Sequence, residues 1–219
     1  MKVMEKSNTE FEVKEGRNTI VVPHQGKIIT FVAPYFGAGT YNQVGKQIDN
    51  ARLLRPTFAE TVSLVYSATQ SKDNKYAKQV LDILNNRWFW GFNDIIYKPK
   101  KGAFISDRNR SNIHVPFGFK TGEQSIADLV KNPFVLALTE GKEGAEKLGK
   151  IAKSQKKTPH VWSFDGVDST EKSVACLASS WDGGLDVDGS DLDDGDDGFA
   201  FGMVLAPKTL KSNNTKMER

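Results

Sequence analysis

Apolar residues at the start of the chain first follow the two-residue period of strands and then change to the longer period of helices. Residues 19–23 and 27–33 alternate or run apolar with β-branched side chains, which predicts two strands. Residues 37–40 contain two glycines and break this pattern. Thr40 is then placed to act as the N-cap of a helix. The stripe that this helix would bury consists of Tyr41, Val44, Ile48 and Ala51.

Two further helices are predicted by the residues that follow. Thr57 and Glu60 have the three-residue spacing of a capping box, so a second helix is expected to begin there. Its apolar stripe consists of Phe58, Val62, Val65 and Tyr66. A third helix is predicted over residues 74–86, and the residues that share its apolar face are Tyr76, Val80, Ile83 and Leu84.

Shorter elements joined by irregular connections are predicted for the second half of the chain. Residues 107–122 are rich in Asn, Arg, Gly and Pro with weak periodicity, which predicts a loop. Helices are predicted over residues 124–131 and 142–154. Strands are predicted over residues 88–92, 95–97, 134–138, 161–164, 174–181 and 199–205, with a hairpin turn at 98–102. Helices early, short strands late and no regular βαβ alternation indicate an α+β fold.

Charge is distributed unevenly along the chain. The 219 residues carry a net charge of +3, yet residues 182–197 contain eight aspartates and no cation. A patch this acidic repels phosphate, so the sequence predicts no nucleic-acid partner. No apolar run is long enough to span a bilayer, and the charged N-terminus lacks the apolar core of a signal peptide. We therefore expect synthesis in the cytoplasm and no membrane insertion.

Few residues offer catalytic or metal-binding chemistry. The single cysteine, Cys176, excludes an intramolecular disulfide and any multi-thiolate metal site, and its apolar neighbours favour a buried position. His24, His114 and His160 lie far apart and have no metal or catalytic spacing. No P-loop, nucleophile elbow or paired carboxylates can be recognised. The sequence therefore predicts no catalytic residue, and a protein that is not an enzyme.

The acidic stretch from Trp181 to Gly198 is the most distinctive part of the sequence. Calcium is one explanation, because hard oxygen ligands cluster here, with Asp186 and Asp188 as the candidate ligands. The EF-hand pattern is absent, since Asp191 stands where that loop requires glycine. A solvated acidic loop is the simplest alternative. Against it, neighbouring like charges repel each other by about 1 kcal/mol per 4 Å pair even in water.

The remaining residues of this stretch come from a narrow set. Leu185 and Val187 have strand spacing. From Asp182 to Gly202 every residue is Asp, Gly, Leu, Val, Ser, Phe or Ala. All of these are encoded by codons that differ from the asparagine codon AAC only at the first two bases, whereas residues such as Glu, Lys and Trp, which such codons cannot encode, are missing. The pattern indicates exposed positions whose identity is set independently of the fold.

Three short motifs resemble a known fold family. Residues 54–60 (LRPTFAE) are similar to the helix start of the C-type lectin-like fold in its formylglycine-generating-enzyme-like branch. Residues 178–181 (ASSW) and 198–199 (GF) are similar to the close of the same branch, and residues 161–163 (VWS) precede them. Within this fold the chain resembles the variable protein of a diversity-generating retroelement of archaeal or viral type. In that family an error-prone reverse transcriptase rewrites AAC codons, and the fold displays the rewritten residues as a ligand-binding face.

The resemblance implies one C-type lectin-like domain over residues 1–207, with a few helices, short twisted antiparallel sheets and long irregular loops. A polar tail would follow over residues 208–219, and residues 178–205 would be the variable, ligand-displaying part. The diversified residues would be Asp182, Gly184, Asp186, Asp188, Ser190, Asp191, Asp196 and Asp197. The scaffold of the site would be Trp181, Leu185, Val187, Leu192, Phe199 and Phe201.

The function that this resemblance implies is binding of an unknown protein or cell-surface ligand, with a preference for cationic partners. No cofactor is expected unless calcium binds, and any association with a virion or cell surface would come through partners.

Two alternatives stay open: a calcium-dependent lectin-like module, and a metal-dependent enzyme of the formylglycine-generating-like fold. The oxidases of that fold need a cysteine pair for copper, and related iron enzymes need a histidine cluster. The chain shows neither.

Overall fold

The computed structural model describes residues 10–14, 17–108, 110–179, 183–191 and 198–204. In this part of the chain six helices pack with two sheets, which confirms the α+β prediction. The helices are α1 (Tyr41–Asn50), α2 (Phe58–Gln70), α3 (Lys75–Asn86), α4 (Ile126–Leu129), α5 (Pro133–Leu138) and α6 (Lys142–Gln155). The strands are β1 (Glu10–Lys14), β2 (Arg17–His24), β3 (Lys27–Ala33), β4 (Phe36–Gly39), β5 (Trp88–Lys98), β6 (Gly102–Asp107), β7 (Arg110–Val115), β8 (Gly122–Glu123), β9 (Thr158–Trp162), β10 (Glu171–Ser179), β11 (Gly184–Asp191) and β12 (Gly198–Ala200).

The first helices begin where their capping residues place them. The Thr40 side chain accepts a hydrogen bond from the backbone N–H of Gln43, and the Gln43 side chain accepts one from the Thr40 N–H. Thr57 and Glu60 form the same reciprocal pair at the start of α2, which confirms the predicted capping box. Each box satisfies backbone donors that the first helical turn leaves open.

The two sheets differ in size and in pairing. Strands β1, β2 and β3 form a small antiparallel sheet. The large sheet has the order β4-β12-β5-β10-β11-β9-β8, with β6 and β7 extending it from β5. Most of its pairs are antiparallel, as expected, but β11 lies parallel to β9 and β12 lies parallel to β5. The large sheet is therefore mixed rather than antiparallel throughout.

Helix α2 lies at the centre of the main core. It packs between the small sheet and one face of the large sheet, and only Tyr66 and Gln70 of its residues are not buried. The opposite face of the large sheet is partly covered by α1, whose Val44 and Ile48 pack in a second cluster with Trp90 and Cys176. Cys176 is buried there, as its apolar neighbours predicted. The two faces of the large sheet thus have different partners.

Three predicted elements differ from the structure. Residues 134–138 were expected to form a strand but belong to helix α5, because the Asn132 side chain caps the N–H groups of Phe134 and Val135 and Pro133 occupies the first turn. The predicted loop over 107–122 contains β7. This strand has no clear apolar period and is formed by pairing with β6. The final strand is shorter than predicted, since β12 ends at Ala200.

None of the helices in the described part of the chain is long and apolar enough to cross a bilayer.

Candidate functional site

Strand β11 places the three described aspartates of the acidic stretch, Asp186, Asp188 and Asp191, in the large sheet. It runs antiparallel to β10 on one side and parallel to β9 on the other. Asp186 is opposite Ala178 of β10 and His160 of β9, and Asp188 is opposite Cys176 and Trp162. Leu185 and Val187, which have strand spacing in the sequence, therefore lie in a strand that has a neighbour on each side.

One face of β11 belongs to the main core. Leu185 and Val187 are fully buried in it. Gly189 continues this inward alternation, and a Cβ atom at this position would collide with the ring of Phe134. Position 189 therefore requires glycine, although the sequence did not single it out as part of the scaffold.

The backbone of β11 is also anchored from the core side. The carbonyl oxygen of Gly189 accepts hydrogen bonds from Tyr97 Oη at 2.7 Å and from Ser173 Oγ at 2.8 Å. Tyr97 Oη also lies 2.7 Å from Ser163 Oγ. Burial raises the pKa of the Tyr97 hydroxyl, so it remains protonated and able to donate. These bonds hold the strand at the bulge where its pairing with β10 shifts register.

The opposite face of β11 and its neighbour β9 is called the outer face here, and it is formed by Asp186, Asp188, Ser190, His160 and Trp162. Asp188 is half-buried, and its Oδ1 accepts hydrogen bonds from Ser190 N at 2.7 Å and Ser190 Oγ at 2.8 Å. Ser190 is also half-buried. Their side chains thus meet on the face that the main core does not use.

Asp186 does not have the exposure expected of a displayed residue. It is only 4% exposed, and its Oδ1 lies 4.0 Å from Nδ1 of His160. Gly184, which was also expected to be displayed, is buried as well. Asp186 is flanked by Ala178 of β10 and His160 of β9, whereas the sequence predicted this part of the chain as an open surface. The expectation of exposure at these two positions is wrong.

Several predicted site residues lie outside the described residues or are only partly described. Those outside are Trp181, Asp182, Leu192, Asp196 and Asp197. Asp191 is described by its backbone, which is opposite Val174 of β10. Further along, Phe199 is half-buried and Phe201 is buried. A Cβ atom on Gly198 would collide with the indole of Trp90, so this glycine of the GF motif is a further part of the scaffold.

His160 and Trp162 join the site from β9, a strand distant in sequence. Their rings stack with centroids 5.9 Å apart and an interplanar angle of 11°. Trp162 is 47% exposed, while Val161 between them is buried in the main core. In the sequence Trp162 belongs to the VWS motif, and no local pattern indicates a role for His160. The alternation of His160, Val161 and Trp162 was the one available signal that two of these side chains share a face.

A cavity of about 420 Å³ opens on the same side of the sheet, beyond β10. Tyr41 at the start of α1 donates a hydrogen bond to Asp94 of β5 at 3.4 Å in its wall. Asp94 is opposite Val174 of β10, so this wall lies two strands away from β11. Its polar lining also includes Asn42, Ser106 and Lys172. The part of this face that α1 does not cover therefore combines acidic, hydroxyl and cationic groups.

Metal-binding and nucleophilic side chains are also present elsewhere among the described residues. No group of three or more His, Cys, Asp or Glu side chains among them is placed to hold a metal ion. His24 Nδ1 lies 2.9 Å from Ser63 Oγ, and its Nε2 lies 3.8 Å from Glu140. The order of groups is that of a nucleophile, a base and an acid. Ser63 is only 1% exposed, however, so this trio joins β2 to α2 inside the fold and offers a substrate no access.

Comparison with known proteins identifies the fold. No protein-family model and no curated protein matches the chain. A solved structure does match, a chain from work on the accommodation of massive sequence variation in Nanoarchaeota by the C-type lectin fold. The two chains share 13% sequence identity with a TM-score of 0.56, and the match covers 80% of this chain and 98% of the other. This likeness shows the fold alone: the chain described above has a C-type lectin fold.

Proposed function

We propose that this chain is a non-enzymatic binding protein whose outer face displays side chains that a retroelement diversifies. The observation that carries the proposal is the division of labour along β11. Leu185, Val187 and Gly189 face the core, whereas Asp188 and Ser190 face away from it. Side chains of the second kind can change without removing core contacts, and this is what a displayed variable surface requires.

Support for a rigid display also comes from the backbone. The carbonyl of Gly189 is held by hydroxyl groups of Tyr97 and Ser173, two residues that lie outside the predicted variable stretch. Hydrogen bonds to backbone atoms do not depend on the identity of the neighbouring side chains. The strand that presents Asp188 is therefore positioned by constant parts of the chain. A preorganised surface of this kind loses less conformational entropy on binding.

The charge of the stretch favours cationic partners in this version of the protein. Residues 182–197 carry eight aspartates in a chain whose net charge is +3, so the acidity is concentrated at one place. Such a concentration attracts cationic partners over several ångströms and mainly increases the association rate. Other members of a diversified set would carry other residues and bind other partners.

Two matched libraries test the proposal. One randomises the outward positions 188 and 190, and the other randomises the inward positions 185 and 187 of the same strand. We expect most members of the outward library to remain folded and to yield binders against an immobilised basic protein. The inward library should mostly fail to fold, because each change removes buried apolar contacts. Equal loss of folding in both libraries, or no binder from the outward one, would contradict the proposal.

The gene provides an independent test of the retroelement. Codons for residues 182–197 are expected to end in C, and a near-copy with AAC at the variable codons should lie close to a reverse-transcriptase gene. Mixed third bases across these codons would rule out diversification while leaving a binding surface intact.

A further inference from the structure

We propose that Trp162 is a constant anchor of the outer face and that, together with Asp188, it binds an arginine side chain of a protein partner. The inference rests on the proposed binding function and adds to it the chemistry of the partner. Trp162 lies outside residues 182–197, the stretch in which diversification is proposed. It would therefore serve every version of the surface, while the residues of β11 would adjust what surrounds it.

The position of the indole supports this role. Trp162 is 47% exposed, an unusual state for the largest apolar side chain in a folded protein. Its neighbour Val161 fills the core, so the backbone of β9 is fixed at this point. The His160 ring lies parallel to the indole at a centroid distance of 5.9 Å, which holds the indole from one side. Trp162 is thus presented to solvent in a defined orientation.

A carboxylate stands next to this indole. Trp162 and Asp188 are opposite each other in the parallel pairing of β9 and β11, and directly paired residues point to the same face. Adjacent strands are about 4.8 Å apart, which places the two side chains within reach of one ligand group. Two hydrogen bonds from Ser190 orient the Asp188 carboxylate. The pair is therefore an aromatic surface beside an oriented negative charge.

This combination fits a guanidinium group better than other side chains. A guanidinium is planar, stacks on aromatic rings and remains charged at any physiological pH. Tryptophan is the best aromatic partner for a cation, and Asp188 supplies a charged acceptor at its edge. Tryptophan is enriched among the few residues that contribute most of the binding free energy of an interface. Charge complementarity with the acidic stretch makes an arginine-bearing partner the matching occupant.

Titration of the full chain with a capped triarginine peptide tests the inference. The readout is the indole N–H resonance of Trp162, assigned by comparison with Trp162→Phe, together with the dissociation constant from calorimetry. We expect saturable binding that Trp162→Ala and Asp188→Asn each weaken about fivefold, because a cation–π contact and a partly exposed ion pair each contribute about 1 kcal/mol. Asp188→Asn keeps an oxygen for Ser190 to bond while removing the charge. Ile28→Ala, at an exposed apolar position on the small sheet, is the control and should leave binding unchanged.

The outcomes separate this inference from the proposed function. Melting temperatures of all variants come first, and if Trp162→Ala unfolds, Trp162→Phe and Asp188→Asn decide the result alone. No saturable binding of triarginine, binding that both variants leave unchanged, or tighter binding of a capped trilysine peptide would each overturn the inference. If the outward library yields binders to a basic protein and none of them depends on Trp162, the inference fails while the display function stands. If that library yields no folded binders, the proposed function itself fails.

Discussion

The two faces of β11 show how one strand can serve the fold and a binding surface together. Leu185, Val187 and Gly189 face inward, where the first two are fully buried and a Cβ atom on the third would meet Phe134. Asp188 and Ser190 face outward, where Ser190 donates two hydrogen bonds to the Asp188 carboxylate. Because successive residues of a strand point to opposite faces, a substitution at an outward position leaves the contacts of the inward side chains in place. The strand thus carries constant and replaceable positions in alternation.

The outer face is itself divided. Asp188 is half-buried and accessible to solvent. Asp186, two residues earlier, is nearly inaccessible and lies beside His160. The same residue type on the same face therefore has two different environments. Exposure along this strand depends on what the neighbouring strand brings to each position, so the alternation alone does not identify the displayed residues.

The largest difference in stability is expected between two single variants that place valine at an inward and at an outward position of β11. Gly189→Val should lower the free energy of unfolding by about 3 kcal/mol or more, because the new side chain would overlap the Phe134 ring. Asp188→Val, at the adjacent outward position, should change it by about 0.5 kcal/mol. Urea denaturation of both variants measures the difference. Similar losses at the two positions would remove the distinction between the faces.

A second pair of variants tests the division of the outer face. Asp186→Lys should cost about 2 kcal/mol, because a long charged side chain must enter a site that is 4% exposed. Asp188→Lys should cost about 0.5 kcal/mol, since its side chain can extend into solvent. Thermal unfolding of both proteins in the same buffer provides the comparison. If Asp188→Lys costs as much as Asp186→Lys, burial does not separate the two aspartates.

The anchoring of β11 from the core side predicts a smaller effect. Tyr97→Phe removes the hydroxyl that contacts Gly189 and Ser163, so the free energy of unfolding should fall by about 1 kcal/mol. Amide hydrogen exchange should increase in β11 more than in β1 and β2. Tyr35→Phe, at an exposed ring, is the control and should leave both measurements unchanged. If the exchange rate increased equally in all three strands, the Tyr97 hydroxyl would not be what holds β11 in place.

The smallest effect concerns pH and a region away from the outer face. Glu143 on α6 accepts a hydrogen bond from Lys147, which lowers the pKa of the Glu143 carboxyl. Its contribution to stability is therefore present above the carboxyl pKa of the unfolded chain, about 4.3, and is lost as the pH falls through the lower folded value. Because Glu143 is half-exposed, we expect Glu143→Gln to cost about 0.3 kcal/mol at pH 7.

The loss caused by Glu143→Gln should vanish in strong acid, where the wild-type carboxyl is protonated as well. Melting curves of both proteins from pH 2 to pH 7 would show this convergence. A constant difference over the whole range would mean that the ion pair with Lys147 is not its cause.

Local signals in the sequence predicted most of the elements. The capping residues Thr40 and Thr57 marked the starts of α1 and α2, because a cap depends on only four consecutive residues. The error at residues 134–138 came from treating a short apolar run as a strand, although the preceding Asn132 and Pro133 carried a helix-start signal. Strand β7 could not be predicted, because its residues have only weak periodicity and its extended conformation depends on pairing with β6.

The site was predictable only in part. The sequence showed the acidic stretch and the strand spacing of Leu185 and Val187, and the structure places both residues in β11 with buried side chains. Gly189 was overlooked because its constraint comes from Phe134, which is distant in the chain. No spacing within the sequence relates Trp162 to Asp188. Their proximity exists only because β9 and β11 pair in one register.

The sequence alone determined where the chain changes from strand to helix, where its negative charge is concentrated and that β11 has alternating apolar and polar residues. Each of these depends on residues close together in the chain. Only the tertiary structure decided that Asp186 is buried, that His160 lies beside it and that Trp162 is presented next to Asp188. The physical reason is that a parallel pair needs an intervening crossover, so its register is set by the packing of the whole fold and not by either strand.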